Sequence, residues 1–132
     1  MKKHPYSRAL EQYKSIELQT RIEGASPHEL IHLLFQGARS HIAIAQGNIE
    51  RNQISEKGKH IGKVISIIGG LRSSLDHKNG GEIATNLEQL YDYLQRILLK
   101  ANLDSNIELL VEANTLITGL HQAWQDIKLE ID

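Results

Sequence analysis

Residues 28 to 32 read His-Glu-Leu-Ile-His, the H-E-x-x-H arrangement in which two imidazoles bind zinc and the carboxylate acts as general base. On a helix His28 and His32 share a face, so the spacing meets the geometric demand. With the seven histidines of this chain, roughly 0.03 such matches are expected by chance, and the motif asks for an explanation. A zinc-dependent hydrolase acting through His28, Glu29 and His32 is one reading. Three features weigh against it. Ser26 and Glu29 form a capping box and Pro27 suits the first helical position, which places His28 in a first turn and gives Glu29 a structural task. No third ligand is indicated, since His41, His60, His77 and His121 stand alone in the sequence. No strand is predicted that could hold an extended substrate by its edge. The expectation is a helix start, with no catalytic residues, no metal and no cofactor.

The elements that carry these residues are helical. The apolar content is aliphatic, 18 Leu and 17 Ile against two Val, four Tyr, one Phe and one Trp, a balance that favours helix over sheet. Apolar residues recur at three-and-four spacing in four stretches. The first, 27 to 53, carries Leu30, Leu34, Ala38, His41, Ala45 and Ile49. After a break near Asn52 to Ser55 the second, about 56 to 77, carries Ile61, Ile65, Ile68, Leu71 and Leu75. Lys78-Asn79-Gly80-Gly81 is expected to stop it. The third, about 82 to 103, carries Ile83, Leu87, Leu90, Leu94, Ile97 and Ala101. Asp104-Ser105-Asn106 turns the chain, with Ser105 and Glu108 as a second capping box. The fourth, about 106 to 130, carries Leu110, Ala113, Ile117, Leu120, Trp124, Ile127 and Ile131. Short connections between long helices predict an all-α, antiparallel up-down four-helix bundle over residues 26–132. Residues 1–25, with Leu10, Tyr13 and Ile16, are too apolar for an idle tail and predict an arm that caps the bundle.

The chain has 132 residues, enough for one domain. Fifteen basic against sixteen acidic residues leave a net charge of −1 and no basic face for phosphates, so nucleic acid is not an expected partner. There is no cysteine, which suits a reducing compartment. The opening residues lack the apolar core of a secretory signal, and no run approaches a membrane span. A cytoplasmic protein is expected.

Apolar residues also fall off the stripes: Ile31, Leu33, Phe35, Ile42 and Ile44; Val64 and Ile67; Tyr91, Tyr93, Leu98 and Leu99; Leu109, Val111 and Leu116. Helices apolar on more than one face are deeply buried or covered by something else. A partner segment lying in grooves, or a homodimer, would use that surface.

Several segments together resemble the FliS family of bacterial flagellin export chaperones. They are Ala25-Ser26-Pro27-His28-Glu29-Leu30-Ile31, Leu33-Leu34-Phe35-Gln36-Gly37-Ala38, Gly80-Gly81-Glu82-Ile83-Ala84-Thr85-Asn86-Leu87, Leu90-Tyr91-Asp92-Tyr93-Leu94, Leu99-Lys100-Ala101-Asn102-Leu103 and Ala123-Trp124. The resemblance runs from Tyr13 to Ile127. It implies a bundle that binds the C-terminal segment of flagellin, keeps it from polymerising in the cytoplasm and delivers it to the flagellar type III export gate. Leu10 and Tyr13 resemble the family's N-terminal cap, which with Ile16 would cover the flagellin site. The groove residues expected from periodicity are Ile67, Tyr91, Tyr93, Leu98, Leu109 and Leu116. The different-class alternatives are the zinc hydrolase and a homodimeric structural bundle.

Overall fold

A computed structural model describes residues 26–131, with side chains as far as 127. Four helices follow one another: α1 Pro27–Glu50, α2 Ile54–Ser73, α3 His77–Asp104 and α4 Ile107–Ile131. Each packs on the next, and α4 closes the ring on α1. Cross-links between helices show that neighbours run antiparallel. His28 at the start of α1 meets Trp124 near the end of α4. Lys57 early in α2 meets Asn102 late in α3. The predicted four-helix bundle is the observed fold.

The core follows the stripes because the 3.6-residue period brings those side chains to one side of each helix. Leu34, Ala38, Ala45, Ile61, Ile68, Leu94, Ala101, Leu110, Ala113 and Ile117 are buried. So are several off-stripe residues, including Phe35, Ile42, Val64, Ile67, Tyr91 and Leu98. The buried sector of each helix is therefore wider than a single stripe.

α1 begins as its sequence dictates. The Ser26 Oγ accepts a hydrogen bond from the Glu29 N–H at 3.2 Å, and Pro27 follows the cap. Two corners differ from expectation. Lys78-Asn79-Gly80-Gly81 does not end α2, which stops at Ser73. Asp76 instead caps a new helix by accepting from the Lys78 and Asn79 N–H groups, both at 3.1 Å. Gly81 does take a left-handed conformation, φ 53° and ψ −128°, but there it kinks α3 after its first turn. His77 thus belongs to α3. At the next corner Ser105 is itself left-handed, φ 49°, and its hydroxyl accepts from Lys57 Nζ at 2.8 Å. The cap of α4 is Asn106, whose Oδ1 accepts from the Leu109 N–H at 3.2 Å, so the expected Ser105–Glu108 box does not form with Ser105 as its cap.

Polar clamps tie adjacent helices outside the core. Arg72 of α2 donates to Glu88 at 2.6 Å, Asp92 at 3.2 Å and Gln95 at 3.0 Å, all on α3. Its pKa is raised, chiefly by the bond to Glu88. Tyr93 of α3 donates its hydroxyl to Glu112 of α4, and that bond, followed by burial, raises the tyrosine pKa. Lys57 is buried, with Nζ donating to the Asn102 carbonyl and Ser105 Oγ, each at 2.8 Å. It brings a cation to the carbonyl end of α3, where the helix dipole favours positive charge. Among the described residues no helix is long and apolar enough to cross a membrane.

Candidate functional site

At the end of the bundle where α1 begins and α4 ends, the helices do not close over one another. Ile31 and Phe35 of α1 face Leu120, Ala123, Trp124 and Ile127 of α4 across a cleft of about 530 Å³. Leu71, Leu75 and Asp76 border it on the α2 side, and Ile83, Leu87 and Tyr91 on α3. The kink at Gly81 lies just before Ile83, the first α3 residue on this opening. Apart from Ser74 and Asp76 at the rim, the lining is apolar or aromatic. Ile83 is 72% exposed and Ile127 43%, an apolar surface that water covers poorly. Asp76 is occupied by its capping bonds, and these hold its carboxyl below the usual range. What this surface can do is bury a few apolar side chains of another segment. Among the described residues that line it, no nucleophile is paired with a base.

The two histidines of the zinc-like motif both turn to α4, on the flank of this cleft. The His28 ring stacks on Trp124, with centroids 4.6 Å apart. Its Nε2 donates to the Trp124 carbonyl at 2.8 Å, and Trp124 Nε1 donates back to the His28 carbonyl at 2.9 Å. His32 Nδ1 lies 2.8 Å from His121 Nε2, and His121 Nδ1 lies 3.1 Å from an Arg39 nitrogen. Among the described residues no three His, Cys, Asp or Glu side chains converge on a metal position. The helical spacing that resembles a zinc site is here the spacing of two contacts to one neighbouring helix. A second histidine contact, His41 with His60 at 2.9 Å, joins α1 to α2.

The residues expected to line a groove are not brought to one place. Tyr91 borders the cleft while being 5% exposed. Ile67 at 4% and Leu98 at 0% belong to the core cluster. Tyr93, Leu109 and Leu116 are half-buried against that cluster. Leu10, Tyr13 and Ile16 lie outside the described residues. Ile31 and Phe35, part of the off-stripe surplus, do line the cleft, whereas Ile83, Leu87, Leu120, Trp124 and Ile127, which also line it, were expected on the core stripes. The available signal was length: a stripe that runs past the end of its neighbours must emerge uncovered.

A helical bundle with an apolar cleft at one end is in keeping with the relatives of this chain. The family described as flagellar protein FliS matches residues 9–130. The flagellar secretion chaperone FliSB of Pseudomonas aeruginosa is 43% identical over 120 residues, covering 91% of this chain and 95% of that protein. The flagellar secretion chaperone FliS of Salmonella typhimurium is 40% identical over 116 residues, 87% of this chain and 86% of that protein. That of Bacillus subtilis is 28% identical over 107 residues, 81% and 79% respectively. The chain belongs to the FliS family of flagellar secretion chaperones.

Proposed function

We propose that this protein is a cytoplasmic export chaperone that binds the C-terminal segment of flagellin, prevents its premature polymerisation and hands it to the flagellar type III export apparatus. The observation that carries this reading is the apolar cleft between the ends of α1, α3 and α4, in a member of a secretion-chaperone family. Each Leu or Ile of a partner helix buried there contributes ~1.5–3 kcal/mol, which offsets the cost of ordering a flexible tail. Tyr93, Leu109 and Leu116 continue the contact along α3 and α4 under this proposal, and residues 1–25, through Leu10, Tyr13 and Ile16, cover the site when it is empty.

Trp124 is the sole tryptophan and lines the cleft, so its fluorescence reports occupancy directly. Titration with a peptide of the last ~40 residues of the host's flagellin, long enough for one or more groove-binding helices, is expected to shift and saturate that signal at one peptide per chain. A flat titration, or a dimer on sizing that ignores the peptide, sinks the chaperone reading and favours the structural bundle.

A further inference from the structure

The hydrogen bonds behind the cleft determine where every ring proton must sit. Arg39 can only donate, so the His121 Nδ1 facing it accepts and carries no proton. His121 therefore bears its hydrogen on Nε2 and donates to His32 Nδ1, which must likewise be bare. The chain runs Arg39 to His121 to His32, and it is complete only with both imidazoles neutral. An added proton on His121 goes to Nδ1 and faces the Arg39 N–H at 3.1 Å. An added proton on His32 goes to Nδ1 and faces the His121 N–H at 2.8 Å. Either one replaces a hydrogen bond by two donors pointing at each other.

This contact lies behind the cleft and supports one of its lining residues. Phe35, which lines the cleft, stacks on His121 with centroids 5.7 Å apart, and Trp124 lies one turn further along α4. We propose that the Arg39–His121–His32 chain is a pH-sensitive latch between α1 and α4 that shapes the partner-binding cleft when neutral and loosens its grip when protonated. The proposal deepens the chaperone reading and rests on it for its partner.

The surroundings support the sign. His121 is 3% exposed, and burial, then His32, then Arg39 push its pKa below the usual histidine value of 6.5. From α1 the charged or titratable groups that act on it are those two. α3 also packs on α4, but its Glu88 and Asp92 turn to Arg72 of α2, and no carboxylate on α3 is among the groups acting on His121. A group whose folded pKa is depressed stabilises the fold above its unfolded pKa and loses that contribution as pH falls. The latch therefore holds fully above about pH 6.5 and is lost as pH falls further, through the lowered pKa of His121.

The test compares the wild-type protein with His121→Gln, which keeps a donor toward His32 and removes the titration. Calorimetric binding of the flagellin C-terminal peptide to wild type is expected to weaken by about three- to tenfold between about pH 7.5 and pH 5.5, the upper figure being the linkage limit for one such group. The same ratio for His121→Gln is expected to fall close to the value for groups elsewhere. Equal ratios in the two proteins, or no pH dependence in wild type, overturn the latch. Absence of binding at about pH 7.5 instead defeats the chaperone reading, and urea unfolding of both proteins at the two pH values then decides the latch, with a steeper loss expected for wild type. Nitrogen NMR of the wild-type imidazoles covers the case in which the variant does not fold. It should find His121 protonated on Nε2 alone at neutral pH, with the Trp124 indole resonance moving as His121 titrates. A proton on Nδ1 at neutral pH overturns the proposal.

Discussion

Leu98 and Ile83 sit on the same helix with side chains of similar size, yet the bundle treats them oppositely. Leu98 is wholly enclosed and Ile83 is 72% exposed at the rim of the cleft. Leu98→Ala is expected to cost roughly 2–5 kcal/mol in urea unfolding, since the lost contacts leave a cavity. Ile83→Asp should change stability by no more than about 0.5 kcal/mol, while weakening the flagellin peptide by about tenfold or more if this rim is an anchor point. An Ile83→Asp protein that binds the peptide as well as wild type would remove the α3 wall from the proposed site. Lys57 shows a third situation, a buried cation whose donors satisfy the Asn102 carbonyl and the Ser105 hydroxyl. Lys57→Ala strands both groups, and a loss of roughly 1–3 kcal/mol is expected by the same measurement.

The helices start and stop through local chemistry, and most of it can be read in order along the chain. Ser26-Pro27 begins α1 as its residue types require. The corners are harder, because a Gly or Asn that leaves the right-handed region can end one helix or kink the next. At Gly81 the local signal was real, but Asp76 had already captured the preceding N–H groups, so the glycine bends α3. Its φ of 53° with ψ −128° lies in a region that residues with a Cβ occupy at a cost of roughly 1–3 kcal/mol. Gly81→Ala is therefore expected to lower the thermal midpoint. Gly119, in regular helix with nothing within 4 Å of an added Cβ, is the contrasting case, and Gly119→Ala should stabilise by up to ~1 kcal/mol through helix propensity. Equal effects at the two positions would mean that the kink is not held in the folded protein.

Across the whole molecule, pH acts through groups with different signs. His121 contributes stability above its unfolded pKa, lost as pH falls below about 6.5. Asp76, its pKa lowered from 3.8 by its capping bonds, keeps its contribution until still more acid conditions. Tyr93, raised from 10.0 by Glu112, acts oppositely: its contribution is present below about pH 10 and is lost as pH rises further. Urea midpoints across pH should therefore peak between neutral and mildly alkaline, and Tyr93→Phe should flatten the alkaline limb alone. The four helices, their inward stripes and most of their ends were legible in the sequence, since the helical period, the caps and the left-handed residues act over a few positions. The His-Glu-Leu-Ile-His spacing was legible as a shared helix face, but not its purpose. Only the packed bundle decided that His28 and His32 meet Trp124 and His121 nearly a hundred residues away. It also decided that Leu98, off its stripe, is enclosed while Ile83 and Ile127, on theirs, are left to the cleft, because exposure depends on how far the neighbouring helices extend.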